Sequence, residues 1–268
     1  MKRAIAPLGL VPLLLAAGCV ESHFNLATQK QDYSFTSDTR EVSVGRKIAA
    51  KVEKENPPVA DAALQEKVDA MGQKLAAVSD RKDLVYHFAV IDDPKSDEDI
   101  VNAFSLPGGY VFLYNDLVKK TTSDDELAGV IAHEIAHIAA RHSVQRQESG
   151  IGASLAQIAA IVTRNGPAAT GLNVALQATM LAHAREDELQ ADKLGVKYMK
   201  EAGFNPEGML SFLRTMQEVH KSESTYLPRG VVKPSYAYTH PGVPERIASI
   251  KEELYGVADY IDYLNVPR

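Results

Sequence analysis

Between residues 60 and 78 the apolar side chains Leu64, Val68, Met71 and Leu75 recur at helical spacing, the stripe of an amphipathic helix. Residues 42–54 show the same periodicity, and Asn56-Pro57-Pro58 separates the two helices. The period then drops to two. Over 84–91, Val85, His87, Ala89 and Ile91 alternate with Tyr86, Phe88 and Val90, which predicts a strand. An acidic loop follows at 92–99, and 109–114 reads as a second strand. Ser123-Asp124-Asp125-Glu126 is a capping box that opens a helix running to about Arg141. Residues 151–181 are rich in Ala, Ile and Leu and are broken by Arg164-Asn165-Gly166-Pro167, which predicts two helices with a turn. Helices are expected over 186–202, 206–220 and 243–255, with a loop at 221–239. The succession predicts one α+β domain over 41–268, mostly helical with a small β-sheet. No tetratricopeptide-type period is present.

The start of the chain follows a different pattern. Lys2 and Arg3 precede an almost wholly apolar run from Ala4 to Ala17, too short for a comfortable span of about 20 residues. It ends Leu15-Ala16-Ala17-Gly18-Cys19, and it resembles a bacterial lipoprotein signal, in which small residues precede a cysteine that is cleaved and lipidated. The commonest version has Leu three before the cysteine, where this chain has Ala16. Residues 1–18 are therefore expected to be a signal peptide and 19–40 a lipidated, partly ordered tether. Val20 follows Cys19 where inner-membrane lipoproteins of enteric bacteria carry Asp, so the expected address is the outer membrane, facing the periplasm.

Composition narrows the chemistry. Cys19 is the single cysteine, which excludes an intramolecular disulfide and a four-thiolate zinc site. Any metal must be held by His and carboxylate groups. The net charge of -6 offers no broad footprint for nucleic acid.

Within the capped helix lies His133-Glu134-Ile135-Ala136-His137. Residues four apart on a helix differ by about 40° in azimuth and about 6 Å in rise. Both imidazoles thus project from one face and can bind one zinc, with Glu134 close enough to contact a water there. Leu127, Ile131, Ile135 and Ile138 occupy the opposite face. Ala140 and Ser143 stand where the metzincin pattern requires Gly and His, which excludes that class. His142 lies about 140° from His137 on a continuous helix, a surface position or one behind the ligands. A third ligand is offered by Glu188, and Asp192 one turn later shares its face and can accept the N–H of a ligating histidine.

These stretches together resemble metallopeptidase family 48, the gluzincins that include the HtpX-type heat-shock proteases and the CAAX prenyl proteases. The matching segments are Asn102-Ala103-Phe104-Ser105-Leu106-Pro107-Gly108-Gly109-Tyr110-Val111-Phe112, His133 to His142, Glu188-x-x-Ala191-Asp192 with Gly195, and Thr239-His240-Pro241 with Arg246-Ile247. The resemblance implies a zincin-type fold, one Zn2+, His133, His137 and Glu188 as ligands, and Glu134 as catalytic base. Since no run of about 18 apolar residues exists, it points to a periplasmic lipoprotein branch rather than the integral-membrane members.

The remaining residues keep two readings each. Gly108-Gly109 lets backbone approach closely, and Tyr110 to Tyr114 is expected to be an edge strand that pairs with an extended peptide, with Gly109, Tyr110 and Val111 binding substrate, or else an ordinary core strand. Asn102 positions substrate backbone or caps a turn. His240 donates to the developing oxyanion, or reaches the zinc and blocks it at rest. Arg246 is expected to be a structural ion-pair partner near the site, and His87, His183 and His220 to be structural. Residues 151–181 are read as core, or as a segment that covers the cleft or docks on a membrane. The expected function is a zinc endopeptidase acting on misfolded cell-envelope polypeptides. The alternative is a chaperone-like periplasmic lipoprotein with a latent zinc site.

Overall fold

A computed structural model of the chain describes residues 21–94, 100–148, 185–226 and 236–256. The expected signal peptide, Cys19, the helices at 151–181 and His183 lie outside the described residues.

The segment expected to be a tether contains a β-hairpin. β1 (Glu21–Asn25) pairs antiparallel with β2 (Lys30–Ser34). Helix α1 (Asp38–Glu55) begins at once, with Ser37 as N-cap accepting from Arg40 N. Helix α2 (Ala62–Ala76) is capped in the same way by Asp61.

Strands β3 (His87–Ile91), β4 (Ala103–Leu106) and β5 (Tyr110–Tyr114) form one sheet in the order β3-β5-β4. β5 runs parallel to β3 and antiparallel to β4. This corrects the edge-strand expectation. Tyr110 and Val111 pair with His87 and Phe88 on one side and with Leu106 and Ser105 on the other, and Gly109 O accepts from His87 N at 2.8 Å. All five β5 residues are buried, because the sheet is covered on both faces. Val111 and Leu113 join the main core, while Tyr110, Phe112 and Tyr114 pack with Ile48, Ala49 and Val52 of α1.

The turn from β4 into β5 uses Gly108 and Gly109 at φ of 79° and 99°. A Cβ on Gly108 would stand 2.7 Å from Val42 Cα, and one on Gly109 would stand 2.5 Å from Val85 O. The backbone that approaches these glycines is the chain's own.

Helix α3 (Asn115–Lys120) leads to α4 (Asp124–Ala139), the centre of the molecule. Ser123 Oγ accepts from Glu126 N, and Glu126 reaches back one residue further than expected, to Thr122 N at 2.7 Å. Its other oxygen takes the Ser211 hydroxyl at 2.6 Å. Every α4 residue from Glu126 to Ala139 is buried, not only the face of Leu127, Ile131, Ile135 and Ile138. A helix enclosed by α2, the sheet, α6 (Arg185–Ala202) and α7 (Glu207–Tyr226) has no solvent face to keep polar. Short α5 (His142–Glu148), α8 (Tyr236–Thr239) and α9 (Val243–Tyr255) complete the described elements. α8 falls inside the expected loop at 221–239. Among the described residues no helix is long and apolar enough to cross a membrane.

Candidate metal centre

Four donors converge under the sheet edge. α4 contributes His133 and His137, α6 contributes Glu188, and the turn after α8 contributes His240; all four are buried and their donor atoms lie within 4.8 Å of one another. His133 Nε2 stands 3.0 Å from His137 Nε2, 3.3 Å from His240 Nδ1 and 3.4 Å from Glu188 Oε2. Glu188 Oε2 is 3.2 Å from His240 Nδ1, and Glu188 Oε1 is 3.4 Å from His137 Nε2. A tetrahedral shell with metal–nitrogen bonds of about 2.0–2.1 Å places its donors about 3.3–3.4 Å apart. The observed separations fit such a shell.

The surrounding charge fits as well. Glu134, Glu188 and Asp192 are three buried carboxylates facing one buried guanidinium, Arg246. The formal imbalance of two negative charges is what one divalent cation neutralises, and burying it uncompensated is costly. Glu188 is held well below the usual carboxylate range. Burial opposes its ionisation, but the charges of His240 and Arg246 and hydrogen bonds from His133 and His137 prevail. His133 is pushed up to about 9: burial and Arg246 oppose its charge, while Asp192 and Glu188 support it. The carboxylates that hold a proton on His133 against burial would favour a cation there for the same reason, while burial pushes His137 well below its ordinary value and keeps it a neutral donor.

The partners behind the donors are equally specific. His133 Nδ1 lies 2.9 Å from Asp192 Oδ1, so Asp192 fixes which ring nitrogen faces the cluster. Arg246 grips Asp192 through two bonds of 2.7 Å and reaches Glu188 Oε2 at 3.0 Å. Asp192 is lowered because Arg246 outweighs the penalty of burial. Both Glu134 carboxylate oxygens are buried and accept no hydrogen bond. His240 Nε2 stands 3.3 Å from Glu134 Oε1.

Asn102 is buried, and its Oδ1 accepts from Ala103 N at 2.9 Å and from the Thr239 hydroxyl at 3.0 Å. It thereby ties the start of β4 to the turn that carries His240. His240 also stacks on Tyr236 at 4.4 Å between ring centroids. The structure thus brings together His133, Glu134, His137, Glu188, Asp192, His240 and Arg246. It leaves Gly109, Tyr110 and Val111 in the interior of the sheet. His87 is exposed and stacks on Tyr110.

The family-model comparison decides the lineage: the description "Peptidase family M48" matches residues 62–254. The chain belongs to peptidase family M48. It therefore carries a metallopeptidase domain, and zinc is the metal of the M48 family. Among similar proteins, the "Putative beta-barrel assembly-enhancing protease" of Vibrio cholerae is 29% identical over 222 residues, 77% of this chain and 43% of that protein. The Escherichia coli "Beta-barrel assembly-enhancing protease" is 26% identical over 79% of this chain and 43% of its own length. The "Mitochondrial metalloendopeptidase OMA1" of Schizosaccharomyces pombe is 31% identical over 68% of this chain and 50% of that protein. The chain thus spans less than half of the bacterial relatives it matches.

The sequence left His142 either at the surface or behind the ligands, and the structure places it behind His137. Arg141 adopts φ of 58°, which ends α4 and turns the chain back. His142 is consequently buried, with Nδ1 2.7 Å from His137 Nδ1 and Nε2 2.9 Å from Gln190 Oε1. Helical spacing alone does not choose between those two positions, because it does not register the reversal at Arg141.

Proposed function

We propose that this protein is a zinc-dependent endopeptidase of the bacterial cell envelope, held at a membrane by a lipid on Cys19. The observation that carries the enzymatic reading is the convergence of four buried donors beside a buried carboxylate, Glu134, that accepts no hydrogen bond. The envelope address is supported by the names of the bacterial relatives and by the N-terminal pattern, which together favour the outer membrane facing the periplasm.

His133, His137 and Glu188 would hold the zinc, with Asp192 orienting His133 and Arg246 securing Asp192. Bound zinc supplies Lewis acidity, polarising the scissile carbonyl and acidifying the attacking water. Glu134 takes the water proton and delivers it to the leaving amine. An extended peptide adds to β4, one of the two outer strands of the described sheet and the one beside His240, rather than to β5. Ala103 O, 3.4 Å from His240 Nε2, ties that edge to the centre. Asn102 acts on substrate through Thr239 and His240 rather than by direct contact.

His240 stands among the donors, 3.3 Å from His133 Nε2 and 3.2 Å from Glu188 Oε2, where it would compete with water for the metal, and this favours the blocked resting state over the oxyanion role. Substrate entry then requires the turn after α8 to withdraw.

The test uses unfolded outer-membrane polypeptide with the parent protein and Glu134→Gln. The expected result is cleavage by the parent and loss of about 100- to 10,000-fold in rate with metal content unchanged. Equal protection of client by both proteins, with no cleavage by either, supports the chaperone-like alternative instead.

A further inference from the structure

The hairpin that follows Cys19 sorts its side chains strictly by face. β-register places Ser22 opposite Tyr33 and Phe24 opposite Gln31, so these four share one face, and none carries charge. Phe24 is 53% exposed and Tyr33 is 69% exposed; Leu26, in the turn between the strands, and Phe35, just after β2, are 57% and 63% exposed. The other face is polar and fastened to the body. Arg141 Nη1 donates to His23 Nε2 at 2.7 Å, Ser34 Oγ donates to Glu148 Oε1 at 2.7 Å, and Gln145 Nε2 donates to Asp32 Oδ1 at 3.3 Å. An outward aromatic face is the reverse of what a surface hairpin in water favours.

We propose that this face is a membrane-docking surface, with Phe24, Leu26, Tyr33 and Phe35 seated in the interfacial layer of a phospholipid bilayer. The inference rests on the lipid-anchor reading of Cys19. Ser22 is three residues from Cys19, a reach of at most about 11 Å. Each headgroup layer is itself about 5–8 Å thick, the difference between the full bilayer and its hydrocarbon core. The anchor therefore brings the hairpin to the surface, where the amphipathic Tyr ring is favoured at the headgroup level and Phe and Leu at the boundary with the acyl chains. The contact also sets direction. Arg141, which grips the hairpin at His23 and Thr36, directly precedes His142, the neighbour of His137. Docking this face orients the metal centre relative to the bilayer instead of leaving it to swing on a lipid.

The chain contains no tryptophan, so one introduced indole is an unmixed reporter. Tyr33→Trp is compared with Tyr255→Trp, a reporter that is 54% exposed at the end of α9, in full-length mature protein. Both are added to vesicles of phosphatidylethanolamine and phosphatidylglycerol, plain or carrying brominated acyl chains. The expected result is a blue shift and bromine quenching at position 33 with water-like emission at 255, and loss of the position 33 signal when Phe24 and Phe35 are both changed to Ser. Emission at 33 that ignores vesicles overturns the proposal. So does a shift that depends on protein concentration without lipid, which assigns the face to a second copy, or one that appears only with unfolded polypeptide, which assigns it to a client. Acylation is read separately from the mass of the N-terminal peptide. An acylated chain with no shift at 33 removes the docking face and keeps the anchor. An unacylated chain that still shifts removes the anchor and keeps the face.

Discussion

Replacing His142 by Ala tests how the ring of His137 is aimed. Gln190 Oε1 accepts from His142 Nε2–H at 2.9 Å, which leaves His142 Nδ1 as an acceptor. The 2.7 Å contact is then His137 Nδ1–H donating to His142 Nδ1, and the lone pair of His137 Nε2 faces the other donors. His142→Ala strands a buried donor, at a cost of about 1–3 kcal/mol. Loss of such a partner behind a metal-ligating histidine weakens metal affinity by about 10- to 100-fold, equivalent to about 1.4–2.7 kcal/mol. The assay is competition for zinc against a chelator of known affinity at fixed pH, with circular dichroism to confirm that the fold is kept. His142→Asn, whose amide oxygen is an acceptor, is expected to recover part of the loss. A folded His142→Ala protein that binds zinc as tightly as its parent refutes this account of the tautomer.

Other consequences are directly measurable. Arg246→Met leaves Asp192 and Glu188 buried without their cation, so unfolding free energy of the metal-free protein should fall by about 3–5 kcal/mol, read by denaturant titration. Gly129→Ala places a Cβ 2.9 Å from the Met209 Cα on α7, and the forced separation of α4 and α7 should cost about 1–3 kcal/mol in thermal denaturation. Burial pushes the Tyr86 hydroxyl up to about 12 from 10.0. Its raised folded value means that its contribution to stability is complete below pH 10.0 and is lost as pH rises towards 12. Tyr86→Phe should therefore flatten that part of the thermal midpoint against pH curve.

Much of the centre is legible because it is local. His133, Glu134 and His137 need only one helical turn to share a face, and Ser123 starts the helix early enough to include them. Glu188 and Asp192 are one turn apart on α6, so their common face also follows from spacing. What spacing does not carry is whether a helix has a solvent side. The stripe of α4 suggested one, but packing on every side removed it. β4 is too short to register as a strand by alternation, and its pairing with β5 is what turned the expected edge strand into the middle of the sheet. The hairpin at 21–34 was hidden by its polarity: one face is polar because it bonds to Arg141 and α5, not because it is solvated.

By itself, then, the sequence determined the metal chemistry, the two principal helices that bear it and the character of an α+β metallopeptidase domain, because i to i+4 geometry and capping are properties of short segments. The sequence left His240 and His142 with two readings each and gave Arg246 an unnamed acidic partner; tertiary structure decided that His240 joins the donor cluster, that Arg246 pairs with Asp192 and Glu188, and that His142 stands behind His137. Each of those contacts joins residues whose positions depend on a reversal or crossing outside any periodic segment. The left-handed Arg141 is the plainest case, since one dihedral sends His142 inward, a reversal that helical spacing does not register.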